Sequence, residues 1–193
     1  MQFKRDHLRD LLQEGAVAGI KGDEATTVDE KLPAAVLIGL VDRDDGTTVL
    51  LTKRTDHLKD HAGQICFPGG RIEPDDASVE AAALREAEEE IGLPPDKVDV
   101  IRRLAPYDTI TGFRIHPVVG WITPPFEATL DDFEVAEVFE LPLAFILDPA
   151  NHQRQSYRRG DQRRSYYVLP YQGRFIWGAT AGMLVNFSKM LMR

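Results

Sequence analysis

Only one cysteine, Cys66, stands among the 193 residues. An internal disulfide is therefore excluded, and so is a CxxC metal site. Long apolar runs are also missing. The longest, residues 34–41, falls far short of the roughly 20 residues that a membrane-crossing helix needs. Residues 1–6 lack the apolar core of a signal peptide. Basic charge is in deficit, with 23 Lys and Arg against 31 Asp and Glu, a net charge of −8. That sign argues against bulk binding to nucleic acid, which takes a basic footprint. These absences predict a cytoplasmic chain with neither a membrane nor a nucleic acid among its partners.

What is present suits a globular protein. A hydrophobic content of 43% is ordinary, and the length allows a substantial core. One domain over 1–193 is expected, with 1–33 as an N-terminal helix and loop extension. Residues 7–14 read as a short helix, with Leu8, Leu11 and Leu12 on one side. Runs 34–41 and 47–53 read as a hairpin joined by Asp42-Arg43-Asp44-Asp45-Gly46, with Gly46 as the turn glycine. Residues 98–104, 114–122 and 135–141 read as further strands, and 143–147 as a helical turn. Residues 165–171 and 174–177 suggest a second hairpin, and 179–192 an amphipathic final helix. The arginine-rich stretch 154–164 reads as a polar insertion, a solvated loop in preference to a contact with a phosphate or with a partner subunit, the last of which leaves a homodimer open. The order of elements predicts an α/β (α+β) fold, a mixed sheet with helices on its faces.

The most informative stretch is 77–93. Ala81, Ala82, Ala83, Leu84 and Ala87 favour a helix, and Asp75 or Asp76 is expected to cap it. Gly92 suits the left-handed stop and Leu93 the apolar contact after it, with Pro94-Pro95 closing the segment. Leu84, Ala87 and Ile91 make a narrow buried stripe. Glu86, Glu89 and Glu90, at i, i+3 and i+4, share a face expected to point away from that stripe. At an effective dielectric of about 20, a charge pair at that spacing repels by roughly 3 kcal/mol. Mg²⁺ or Mn²⁺ would reverse the sign, because hard divalent cations take carboxylate oxygens. The bland alternative is a solvated acidic face. Two features weigh against it: acidic side chains at a helix C-terminus oppose the macrodipole, and Arg85 stands four residues before Glu89, where it can orient that carboxylate. Glu88, one position off the face, is expected to meet only solvent.

The run Arg85-Glu86-Ala87-Glu88-Glu89-Glu90-Ile91-Gly92-Leu93 resembles the second half of the Nudix box. The first half departs from the family pattern. Gly70 to Arg85 is one residue longer than usual, and Asp76 stands where the first glutamate is expected, with Glu73 as another candidate. Leu50-Leu51-Thr52-Lys53-Arg54-Thr55, Gly63 and Phe67-Pro68-Gly69-Gly70 resemble the signature that precedes the box in coenzyme A pyrophosphatases. Thr111-Gly112-Phe113, Glu134-Val135-Ala136-Glu137 and Trp177-Gly178-Ala179-Thr180 are similar to the same subfamily. The resemblance covers most of 34–187 and implies a Nudix α/β/α sandwich.

That resemblance also implies chemistry. Nudix enzymes hydrolyse a nucleoside diphosphate linked to another group, with divalent metals carrying much of the charge stabilisation. It assigns Glu86, Glu89 and Glu90 to Mg²⁺ or Mn²⁺, adds the Gly70 carbonyl as a further ligand, and makes Arg85 the group that orients a carboxylate. Glu137 resembles an extra glutamate outside the box, so Glu89 and Glu137 compete as proton acceptor. Arg54, Lys59, His61 and Gln64 are the substrate-binding candidates, since a basic loop suits the phosphates of a coenzyme A-like molecule. The expected reaction is cleavage of coenzyme A or acyl-CoA to 3′,5′-ADP and 4′-phosphopantetheine, free or acylated. The alternatives are another Nudix substrate (ADP-ribose, NADH or a nucleoside triphosphate) or a non-catalytic binding module. His7, His57, His116 and His152 lack ligand spacing. Cys66, Phe175, Trp177 and Phe187 read as packing residues.

Overall fold

A computed structural model describes residues 5–14, 31–58, 60–159 and 162–192. Lys59 and most of the expected loop before residue 33 lie outside the described residues. In chain order the elements are α1 (Arg5–Glu14), β1 (Leu32–Arg43), β2 (Gly46–Arg54), β3 (Ile65–Cys66), β4 (Gly69–Arg71) and α2 (Val79–Ile91). Then follow β5 (Val98–Arg103), β6 (Tyr107–Asp108), β7 (Phe113–Ile122), β8 (Val135–Pro142) and α3 (Leu143–Leu147). The chain ends with β9 (Gln153–Arg159), β10 (Gln162–Tyr171), β11 (Arg174–Trp177) and α4 (Gly178–Leu191).

Among the described residues, eight strands form one mixed sheet along the path β3-β2-β1-β7-β5, with β4 on β1, β6 on β7 and β8 on β2. β1 and β7 pair in parallel, while β1–β2 is an antiparallel hairpin. Residues 34–41 of β1 are buried without interruption. A strand buried on both faces loses the apolar–polar alternation of an exposed sheet, which is why this stretch reads as a solid apolar run. On one face Leu37, Val41, Leu50 and Ile122 pack against Ala87 and Ile91 of α2. On the other, Val36, Ile38, Leu40 and Leu51 join Leu8 and Leu12 of α1 with the apolar residues of α3 and α4. The layers are thus helix, sheet, helix, as expected. Among the described residues no helix is long and apolar enough to cross a membrane.

Two expectations about α2 are corrected. Its cap is Ser78, whose Oγ accepts from the Ala81 N–H at 3.0 Å. Asp76 is engaged elsewhere, as its Oδ2 accepts the Glu73 N–H at 2.7 Å and its carboxylate binds Arg85. The buried side of the helix is also wider than a narrow stripe. Ala82, Ala83, Ala87, Ile91 and Glu90 are buried, while Leu84 is only partly so. The small alanines let the helix approach Ala35 and Val118 closely. The stop is as predicted: Gly92 takes φ 66°, and its N–H donates to the Glu88 carbonyl at 2.8 Å.

A second sheet, β11-β10-β9, follows α3. It corrects the reading of 154–164 as a loop, because the arginine-rich stretch is a β-hairpin. Its cross-strand pairs match polar side chains to aromatic ones: Arg154 lies 5.5 Å over the Tyr167 ring, and the Tyr166 hydroxyl donates to Gln155 at 2.9 Å. Phe175 and Trp177 are corrected too, at 47% and 40% exposure. β11 is an edge strand whose alternation turns Ile176 inward and its two neighbours outward. Phe187 is fully buried, as expected.

Candidate active site

The site forms where α2 crosses β4. Gly70 faces α2, and a Cβ added there would collide with the Glu86 carboxylate. Without a Cβ, Gly70 leaves the Glu86 carboxylate room to lie against the strand. One residue earlier, the Gly69 N–H donates to Glu90 Oε2 at 3.2 Å. Glu86 and Glu90, one helical turn apart, therefore converge on the Gly69-Gly70 backbone. The expectation that Glu90 points away from the packed side of the helix is corrected, since it is 5% exposed.

Burial shapes both carboxyls. Glu90 is pushed up to about 8, chiefly by loss of water, with the Glu86 charge adding to the rise and the Gly69 N–H opposing it. Glu86 is also raised by burial, against the pull of Arg85. Two neighbouring carboxyls, both costly to ionise beside each other, are what a hard divalent cation reverses. The donor set and the cleared space at Gly70 thus fit Mg²⁺ or Mn²⁺. Glu89 does not join them: it is 60% exposed and takes a 2.8 Å bond from Arg85. Accordingly, no three His, Cys, Asp or Glu side chains among the described residues are grouped as a ready metal cluster. Glu88 is exposed.

Arg85 is the tie of the region. Its Nε and Nη2 grip Asp76 at 2.9 and 3.1 Å, and Nη1 lies 3.1 Å from Glu86. Nη2 also donates to the Arg71 carbonyl at 3.1 Å, joining the helix to β4. The Arg85 bonds hold the Asp76 carboxyl below its ordinary range.

Arg54 approaches from β2. Its Nη1 lies 3.8 Å from Glu90 and its Nη2 3.5 Å from Glu134, while its Nε is buried with no hydrogen-bond partner. Glu134 acts electrostatically on Glu86 and Glu90 as well. The sequence reading missed it as a site residue. The available signal was the pair Glu134 and Glu137 at the start of a strand, of which only Glu137 was singled out. Glu137 instead accepts from Arg174 Nη2, and the Arg174 guanidinium lies 4.4 Å over the Phe139 ring. Arg174 was not foreseen either.

Beside β4 opens a cavity of about 560 Å³. Arg54, His61 and Gln64 line it together with Gly69, Gly70 and Cys66. Three of the four substrate-binding candidates therefore meet in one place. His61, at φ 59°, bonds through Nδ1 to Gln64 Oε1 at 2.8 Å. Cys66 also lines the cavity, and its thiol is poorly disposed to ionise: burial pushes it up to about 11, with Thr52 Oγ1 3.2 Å away. His152 Nε2 sits 2.7 Å from the Ile146 carbonyl and His57 packs on Phe133, so both are structural.

A buried carboxyl with a partly buried neighbour, a guanidinium with a spare donor and an adjoining cavity can hold a cation and a phosphate together. The comparisons agree with that capacity. The NUDIX domain family matches residues 31–159. Proteins named "Uncharacterized Nudix hydrolase NudL", from Escherichia coli O1:K1 / APEC and from Shigella boydii serotype 18, are 49% identical over 152 residues, or 78% of this chain and 78% of theirs. Among solved structures, the NUDIX domain of Shewanella oneidensis NrtR, complexed with ADP ribose, has a TM-score of 0.53 at 17% identity, over 86% of this chain and 91% of that one. A MutT/nudix family protein from Enterococcus faecalis has a TM-score of 0.50 at 13% identity, over 96% and 73%. These two share the fold.

Proposed function

The chain belongs to the Nudix hydrolase family, whose members cleave nucleoside diphosphate derivatives, and from that premise we propose that it hydrolyses the diphosphate bond of coenzyme A or acyl-CoA. One observation carries the reading: Arg54, His61 and Gln64, from the segment that resembles the coenzyme A signature, line one cavity with the Gly69-Gly70 backbone that Glu90 and Glu86 approach. The diphosphate then lies along β4, with its remaining groups in the cavity.

In this reading Glu86, Glu90 and the Gly70 carbonyl hold the cation, with Glu89 on the same helix able to turn toward it. A bound Mg²⁺ or Mn²⁺ supplies charge neutralisation for the diphosphate. Arg54, whose buried Nε has a donor to spare, grips a phosphate oxygen, a stronger bond than a neutral donor makes. Arg85 keeps α2 fixed against β4, so the carboxylates stay in register with the strand. Glu89, solvent-accessible and held by Arg85, takes the proton from the attacking water. Glu137 is the competing acceptor, engaged by Arg174 as Glu89 is by Arg85, and less exposed than Glu89.

The test is product analysis by mass spectrometry with Mg²⁺ or Mn²⁺ over a panel of CoA, ADP-ribose, NADH and deoxynucleoside triphosphates. The expected products are 3′,5′-ADP and 4′-phosphopantetheine from CoA. Turnover of ADP-ribose without CoA would overturn the substrate, and no turnover of any member would overturn the activity.

A further inference from the structure

Arg71 follows Gly70, yet it serves neither the carboxylates nor the packing. Pairing registers define where it points. Ala34 of β1 stands opposite Arg71 of β4 on one side and Ile115 of β7 on the other. Directly opposed residues share a face of the sheet, and residues two apart along a strand share it too. Arg71, Ala34, Ile115 and Phe113 therefore lie on one face, and all four line the cavity. Gly70 lies on the opposite face, toward Glu86. The Arg71 charge is thus presented across the strand from the carboxylates, to the cavity and not to the metal side.

Its surroundings leave it unused. The Arg71 guanidinium carbon lies 5.9 Å over the Phe113 ring. Among the described residues it has no carboxylate partner, whereas Arg54 and Arg85 both do. With the ring to one side and no carboxylate on its edge among the described residues, the guanidinium has a donor edge that matches two oxygens of a phosphate. We infer that Arg71, beside Phe113 in the cavity, is a second anion subsite, which takes a terminal phosphate monoester of the substrate separate from the diphosphate being cleaved. On the coenzyme A reading, on which this assignment rests, that group is the 3′-phosphate of the adenosine half. Arg71 then selects CoA over diphosphates that lack such a phosphate, such as 3′-dephospho-CoA.

The experiment compares CoA with 3′-dephospho-CoA in wild type, Arg71→Ala, Arg71→Lys and Phe113→Leu. In parallel, calorimetry measures binding of 3′,5′-ADP against AMP to the same proteins, without turnover. Arg71→Ala is expected to lower kcat/KM for CoA about tenfold or more, through KM, and to leave 3′-dephospho-CoA unchanged. Arg71→Lys should keep part of the preference, and Phe113→Leu should weaken it less than Arg71→Ala does. Binding of 3′,5′-ADP should fall in Arg71→Ala while AMP binding holds. Equal losses for both members of each pair, or no loss, overturn the subsite. If wild type cleaves neither CoA nor its dephospho form, the substrate assignment fails, and the 3′,5′-ADP against AMP comparison alone decides the subsite.

Discussion

Arg54 and Arg85 both meet carboxylates of α2, but they are satisfied to different degrees. Arg85 has close partners on its donors: Asp76 at 2.9 and 3.1 Å, Glu89 at 2.8 Å and the Arg71 carbonyl at 3.1 Å. Arg54 stands 3.8 Å from Glu90 and 3.5 Å from Glu134, with a buried Nε left unpartnered. A saturated guanidinium fixes structure, because its donors have nothing further to offer. A buried one with unused donors is costly in itself, and such costs concentrate where a ligand later supplies the partner. The difference separates a brace from a binding group, both meeting carboxylates of the same helix.

The sharpest way to break the comparison is at Glu90. Glu90→Gln should lower kcat by ~10²-fold or more, since it removes a charge aimed at the cation. Its thermal unfolding midpoint should hold or rise, because Glu90 is pushed up to about 8 in the fold and its easier ionisation in the unfolded chain, which opposes folding near neutral pH, is removed. Near-normal turnover would show the metal site is misplaced.

A smaller effect is expected at Arg54. Arg54→Ala should reduce kcat/KM by roughly 10- to 100-fold, the scale of a lost charge-assisted hydrogen bond, with little change in the urea midpoint. Arg54→Lys should recover only part, since an ammonium cannot make the same forked contact. Arg85→Ala should reverse the pattern: a clear fall in the urea midpoint and a smaller loss of activity than Arg54→Ala. If Arg85→Ala instead leaves stability intact and abolishes turnover, the brace assignment is wrong.

The smallest effect comes from a third arginine–carboxylate pair, away from α2. Asp108 is held down to about 2 by Arg114, with Lys31 helping against a modest burial penalty. Because its folded value lies below its unfolded one, its contribution is present above about pH 4 and fades as pH falls toward about 2. Asp108→Asn should therefore be less stable than wild type near neutrality, and the gap in urea midpoints should close as the pH is lowered through that window. A gap that persists at low pH would mean that packing, not charge, sets the difference.

Much of α2 was legible because its signals are local. The alanine-rich run, Gly92 and the paired prolines each act on neighbouring residues, and the helix ends where they indicate. The cap was misread for a reason outside the local pattern: Asp76 is drawn away by Arg85, nine residues on, leaving Ser78 to cap. The 154–164 stretch was misread in a similar way. Its arginines look like loop composition, but strand pairing sets Arg154 over Tyr167 and Gln155 against Tyr166, partners that lie on the facing strand. Glu134 and Arg174 went unnoticed because their significance lies in what they face, Arg54 and Glu137, at the far end of long sequence separations.

By itself the sequence determined the hairpin of β1 and β2, the acidic helix with its stop, and the presence of carboxylates, an arginine and a basic loop in the order that marks the family. These follow from hydrophobic period, backbone preference and spacing, all short-range. Which carboxylates converge was decided only by the tertiary structure. Docking α2 on β4 buries Glu90 and sets Glu86 against Gly70, while helix rotation leaves Glu89 in solvent. The cavity has the same origin. Its walls come from residues as far apart as Ala34 and Thr180, and only the pairing of β1 with β4 and β7 brings Arg71 and Phe113 to one face, because a sheet register relates residues that the chain keeps apart.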